Sequence, residues 1–299
     1  VRLVPTTTLD GVTAITQSIA TGTLTTGSPV VTGLSANTAT IAGALGVAGV
    51  GIPSYTYVQS IDSASQVTLT NPATVTGPEA LTFTIEPVTL WEAKKQARVQ
   101  FPDEDFLMAG FIRAARLYAE TALKQALLTQ SWTLYLDSFP TAGGLYNPQM
   151  RQLWSSQGGL QPGIGFYPNM FMNSGGVIDI PRSPLISVNS VTYWDFNGVS
   201  QTYPPGSYNV STGVPGRIQP QYGSFVWPIA QPRIDAVQVN FTAGYGPTAA
   251  SIPDNVKAAI MCYAAHLFEN REAVQQGGFV VVPMLVDALL SPADPGVYA

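Results

Sequence analysis

The spacing of apolar positions changes character along this chain. Up to about Glu86, short Thr/Val runs such as QVTLT and LTFTI alternate between Gly, Pro, Asn and Ser turn residues. Alternation at period two predicts an all-β module of short strands, each with one buried and one threonine-coated face. At Pro87 the period lengthens. TLWEAKKQARV opens with Thr89 and Glu92 at T-x-x-E spacing, a capping box in which each side chain satisfies a free backbone N–H of the first turn. Leu90, Ala93 and Ala97 supply its apolar stripe. FPDEDF then interrupts and restarts the helix. Pro102 suits a first helical turn, and Asp103, Glu104 and Asp105 complement the positive end of the helix dipole. Leu107, Phe111, Ala114, Ala115, Tyr118, Ala122 and Ala126 follow at helical spacing and predict a helix of about 24 residues.

Strand character returns at SWTLYLDSF, with Trp132, Leu134 and Leu136 on one face. The stretch Thr141–Gly176 is rich in Gly, Pro, Asn and Gln and far longer than an ordinary connection of about 4–6 residues. It keeps Tyr146, Trp154, Phe166, Tyr167 and Phe171, aromatics that a linker lacks, so it reads as a loop that packs against a partner. More strands follow, and Asn197-Gly198 within DFNG marks a hairpin turn. SIPDNVKAAIMCYAAHLFENREAV predicts another helix, with a second capping pattern from Ser251 to Asp254 and Pro253 in the first turn. Val256, Ile260, Tyr263 and Leu267 would line its buried face. A short helix in PMLVDALLSP and a tail come after Gly277–Gly278. The expected fold class is α+β: a small helical bundle with a projecting β-block, plus a separate N-terminal all-β module. The divisions fall at 1–86, 87–130, 131–250 (with the loop 141–176) and 251–299.

Composition narrows the function classes. Charged residues make up 10% of the chain, against about 25% in a typical soluble domain. Such a neutral surface suits a subunit of a large assembly or a secreted β-protein. The formal net charge is −5, and no run of Lys and Arg lies along one face, which argues against specific grip on nucleic-acid phosphates. The longest apolar stretch, Ile41–Ile52, is short of the roughly 20 residues a bilayer span needs, and its GVAGVG run reads as turn material. With no apolar leader in VRLVPTTTLDG, the chain reads as soluble, cytosol-made and without a membrane partner.

Candidate chemistry is sparse. His266 is the only histidine and sits in a helical pattern, where a packing or surface role is commoner than a catalytic one. Cys262 is the only cysteine; it excludes an intrachain disulfide and reads as a buried thiol. Together they supply two ligands, where a closed zinc site needs about four. Asp103, Glu104 and Asp105 read as helix-terminal charge and not as a metal site. No phosphate-binding loop, nucleophile elbow or zinc-protease motif is present in the sequence. The chain therefore reads as a structural or interaction protein and not an enzyme, with no cofactor.

From Pro87 onward the chain resembles the head-to-tail connector (adaptor) proteins of tailed bacteriophages. PVTLWEAKKQARV is similar to their opening helix. DEDFLMAGFIRAARLYAETALKQALLTQSWTLYLDSFP resembles their long helix and following strand. IDIPRSPLISVNSVTYWDFNG resembles a proline-marked strand and hairpin. VQVNFTAGYG, then IPDNVKAAIMCYAAHLFENREAV, then VDALLSP complete the order. The resemblance implies a virion neck protein made in a host bacterial cytoplasm. It would form a ring, twelve-fold in most such proteins, that joins the portal protein to a tail nozzle, tube or tail-completion protein. DNA would pass through the ring without specific contacts. Exposed faces of Asp103–Leu128 would meet the next subunit, with Arg113, Arg116, Glu120 and Lys124 forming lateral charge pairs. The apolar residues Met284, Leu285, Leu289, Leu290 and Tyr298 would reach the portal. The long loop, with Tyr146, Trp154, Phe166 and Tyr167, would dock on the tail. The β-module at about Leu9–Glu86 departs from the family pattern as an insertion. The rival reading is a secreted or surface β-rich carbohydrate-binding module, which explains the low charge and the loop aromatics but not the capped helices.

Overall fold

The computed structural model of the chain describes residues 1–5, 8–9, 12–13, 17–35, 44–140, 176–221, 227–270, 274–275, 278–279 and 284–293. In chain order the strands before the first helix are β1 (Arg2–Pro5), β2 (Thr8–Leu9), β3 (Val12–Thr13), β4 (Gln17–Leu24), β5 (Val30–Val31), β6 (Ala44–Gly49), β7 (Val58–Ser63), β8 (Gln66–Leu69) and β9 (Gly77–Ile85). Helices α1 (Leu90–Ala97) and α2 (Asp105–Leu123) come next. They are followed by β10 (Gln130–Leu136), β11 (Ile178–Ile180), β12 (Leu185–Trp194), β13 (Ser200–Tyr203), β14 (Tyr208–Ser211), β15 (Gly216–Pro220) and β16 (Val237–Ala243). The chain closes with α3 (Asp254–Glu269), the short pair β17 (Val274–Gln275) and β18 (Gly278–Phe279), and α4 (Met284–Leu290). The fold is α+β. It divides into two units, one of Val1–Thr6 with Ser131–Thr242 and the other of Thr7–Gln130 with Ala243–Ala299.

The first unit holds a five-stranded sheet in the order β1-β10-β16-β12-β13 and a three-stranded sheet, β11-β15-β14. β1 lies antiparallel to β10, with Leu3 opposite Leu134. β16 buries Val237, Val239 and Phe241 and leaves the residues between them half-exposed, as its alternating sequence dictates. β10 departs from the expected alternation, because Trp132, Thr133 and Leu134 are all buried while Leu136 is half-exposed. Thr133 tolerates this because its hydroxyl donates to Asn240 Oδ1 at 2.6 Å. The expected hairpin joins β12 to β13. Asp195 Oδ1 accepts the Asn197 and Val199 amides, and Gly198 takes φ 75°.

The second unit places the sheets β4-β9-β6 and β5-β8-β7 with the helices. Its apolar side chains form one continuous core, from Leu81, Phe83 and Ile85 of β9 through Met108 and Ile112 of α2 to Val286 and Leu290 of α4. Each such fully buried side chain stabilises by about 1.5–3 kcal/mol relative to exposure. The β-module expected to stand apart thus shares a core with the bundle. Gly46–Gly51, expected as turn material, is mostly β6. A Cβ at Gly49 would meet the Ala80 carbonyl oxygen at 2.7 Å, so glycine here allows close strand approach.

α1 forms the capping box that the sequence spells. Thr89 Oγ1 accepts the Glu92 amide at 3.2 Å, and Glu92 Oε2 accepts the Thr89 amide at 2.8 Å. A 3-10 turn, Pro102–Glu104, precedes α2, in keeping with Pro102 in a first turn. α2 runs 19 residues instead of about 24, because Lys124 turns left-handed (φ 54°) and its N–H caps the Glu120 and Thr121 carbonyls. α3 lacks the second side-chain cap. Pro253 takes the cap position, while Ser251 ends a separate 3-10 turn. α3 buries Val256, Ala259, Ile260 and Ala264; Tyr263 and Leu267, expected on that face, are half-exposed.

Candidate functional site

α2 is oriented by charges that it buries. Arg116 sits fully inside the unit, where its Nε donates to Glu86 Oε2 and its Nη1 to Glu120 Oε2, both at 2.8 Å. Glu86 follows directly on β9, so the pair ties the helix to the end of a strand. The second Glu120 oxygen accepts the Leu127 amide at 3.1 Å and Gln130 Nε2 at 2.7 Å, fixing the chain just past the helix. Two carboxylates thus face one guanidinium. Burial pushes the Glu86 carboxyl above its ordinary range, more than Arg116 draws it down. Burial also works against the Arg116 charge, but Glu86 and Glu120 outweigh it and hold the guanidinium protonated. A buried pair of this kind adds little net stability, yet losing one partner is costly, so it acts chiefly to fix helix rotation.

That rotation settles which side of α2 faces outward. The buried residues are Asp105, Met108, Ala109, Ile112, Ala115, Arg116, Ala119, Glu120 and Leu123. Of the expected stripe, Ala115 and Ala126 are buried, whereas Leu107, Phe111, Ala114, Tyr118 and Ala122 lie about one residue, or about 100°, away from that face; Ala114 and Ala122 are exposed and the other three half-exposed. The outer face carries Phe106 (58% exposed), Gly110, Ala114, Leu117 and Thr121, at three- and four-residue spacing and without a charge among them. Space beside Gly110 is open, so another backbone can approach closely. Phe106 packs edge-on against the exposed Tyr55 at 4.7 Å between ring centroids. Beyond it, Trp91 and Phe101 are 58% and 74% exposed. Trp91 and Lys95 stand beside a groove of about 710 Å³ between α1 and the β-module, floored by Val58 and Leu90.

The expected lateral charge pairs are redistributed. Arg116 and Glu120 are core residues paired within the chain, because their carboxylate and guanidinium partners lie inside. Arg113 is half-buried and Lys124 exposed. On α4, Met284 and Leu285 are 88% and 57% exposed. Leu290 is buried and Leu289 packs on the core, so neither offers an outward surface. Tyr146, Trp154, Phe166, Tyr167 and Tyr298 lie outside the described residues. The exposed aromatics Trp91, Phe101 and Phe106 were not singled out from sequence. Their signal was available, since Trp91, Lys95 and Arg98 fall on one helical face.

The remaining candidates make contacts within the chain. His266 is half-buried and its Nδ1 lies 3.1 Å from Asn270 Nδ2. Cys262 is half-buried, not fully buried; burial pushes its thiol up, and Gln96 Nε2 lies 3.8 Å from the sulfur. Asp105 pairs with Lys94 at 2.5 Å. Among the described residues no group of three or more His, Cys, Asp or Glu could hold a metal ion, and no helix is long and apolar enough to cross a membrane.

No protein-family model and no curated protein matches the chain. Among solved structures it is similar to a chain in the neck of an empty gene transfer agent (GTA) particle computed with C6 symmetry, at 20% identity and TM-score 0.49, covering 68% of this chain and 87% of that one. It is also similar to a chain of the virion of a native gene transfer agent particle, at 19% identity and TM-score 0.47, covering 68% and 87%. A third likeness is to a chain in the neck of a native GTA particle computed with C12 symmetry, at 19% identity and TM-score 0.44, covering 67% and 86%.

Proposed function

We propose that this protein is a structural subunit of a virion neck, a head-to-tail adaptor that assembles as a ring between portal and tail and lets DNA pass. The observation that carries the reading is the outer face of α2. Phe106, Gly110, Ala114, Leu117 and Thr121 form an uncharged helix surface that the buried Arg116 network holds toward solvent. An uncharged helix surface of this kind suits packing against another subunit. The segments that resemble adaptor proteins fold in the same order, as α1, α2 with β10, β11 to β13, β16, α3 and α4. In this reading the α2 face packs laterally on the next subunit. The low charge keeps the surface from competing for DNA phosphates.

The test is the mass of the purified chain in solution, alone and mixed with portal protein. A ring of twelve copies of a 31.7 kDa chain is roughly 380 kDa. A ring-sized species in either condition supports the reading, and Leu117→Asp should abolish it while leaving the monomer folded. A monomer in both conditions overturns it.

A further inference from the structure

The groove beside α1 is cationic in a chain that is otherwise acidic. Lys94, Lys95 and Arg98 line it against one carboxylate, Asp105, and that carboxylate is already paired with Lys94. Lys95 lies over the Trp91 ring at 4.2 Å, and both it and Arg98 are exposed. The floor, from Val58, Leu90 and Val99, is apolar. An exposed tryptophan on an apolar floor, rimmed by two cations without a carboxylate partner in the groove, fits a short segment with apolar side chains and a negative charge.

The chain itself carries such a segment. α4 presents Met284 and Leu285 to solvent with Asp287 exposed beside them, and it contains no cation. α4 cannot reach the groove of its own chain. It is tied down by Asn255 Nδ2 to the Leu289 carbonyl at 2.9 Å and by the buried Val286 and Leu290, and no α4 residue lines the groove. The Tyr118 hydroxyl donates to one Asp287 oxygen at 3.1 Å, which leaves the other to meet a cation.

We infer that α4 of one copy docks in the α1 groove of the next, placing Met284 and Leu285 on Trp91 and the apolar floor and Asp287 against Lys95 and Arg98. The contact joins two different surfaces, so it is heterologous and propagates around a ring. It rests on the ring reading above and assigns the exposed end of α4 to the neighbouring copy instead of the portal.

Charge exchange between full-length variants tests it, read by light scattering at a concentration where the wild type associates, with portal added if association requires it. The double variant Lys95→Glu/Arg98→Glu should associate at least tenfold more weakly, and so should Asp287→Lys. Mixed in equal amounts the two should recover, because every junction then pairs opposite charges. Met284→Ser/Leu285→Ser should weaken association without such rescue. Asp287→Asn, which keeps an acceptor for Tyr118, should weaken it with the melting temperature unchanged, which separates docking from folding. If the variants assemble like the wild type, or if mixing restores nothing, the docking falls and the ring reading stands. A wild type that stays monomeric with and without portal overturns both. Loss of portal capture by the α4 variants with ring assembly intact would return α4 to the portal and overturn the docking.

Discussion

On its inner face α2 buries Arg116 and Glu120; on its outer face it leaves Phe106, Gly110, Ala114, Leu117 and Thr121 in water. The rest of the inner face is apolar, from Met108 and Ile112 to Leu123, as in a helix of a self-contained globule, but such a helix usually keeps its charges outward. The difference teaches what each face is for. The inner charges make few contacts, but each is directional, so they fix one rotation of the helix and no other. The outer face makes no comparable contacts within its unit and gains only when another surface covers it. A single helix thus holds a strict internal constraint and an open external surface.

The sharpest way to break this comparison is to remove the inner constraint. Arg116→Ala leaves Glu86 and Glu120 buried without their counter-ion and should cost about 3–5 kcal/mol, measured by chemical denaturation. An effect under about 1 kcal/mol would mean that the network does not orient the helix. The outer face should behave oppositely. Leu117→Asp should change monomer stability by no more than about 0.5 kcal/mol and still prevent ring assembly. Equal stability loss at Leu117 and Arg116 would erase the distinction between the faces. A third change tests whether α1 holds its groove independently of α2. Thr89→Ala removes the capping box and should cost about 1 kcal/mol, with little effect on the α2 face.

How far these faces were legible in sequence depended on the kind of signal. The α1 cap was fully legible, because T-x-x-E works within four residues and needs no tertiary partner. The Asn197-Gly198 hairpin was legible for the same reason. The α2 face was displaced by about one residue. Periodicity assumes that Arg116 and Glu120 point to water, and that assumption carries Leu107, Phe111 and Tyr118 inward. Their partner Glu86 lies 30 residues before Arg116 on another element, and no local pattern announces it. The continuous core of β-module and bundle was hidden likewise, since it consists of contacts between β9 and α2 and not of a motif. The burial of Thr133 against the alternation of β10 was hidden too, because its partner, Asn240, lies 107 residues away.

The smallest effect, and the most specific, concerns the protonation of Glu86. Burial is the dominant influence and raises its carboxyl above the ordinary value of 4.5. A carboxyl raised in the folded state holds its proton where the unfolded chain has released it. The stability this contributes is therefore fully present below about pH 4.5 and is lost as pH rises through the folded value. Glu86→Gln places a neutral side chain of the same shape there and removes that loss. The variant should match the wild type most closely in acid and gain on it steadily as pH rises toward neutrality, followed by denaturant midpoints across pH 4–8. If attraction to Arg116 prevailed instead, the carboxyl would be held below its ordinary value and the variant would fall behind over the same range. The sign of that one slope therefore decides whether the inner face of α2 is governed by the cost of burying two carboxylates or by their attraction to a single guanidinium.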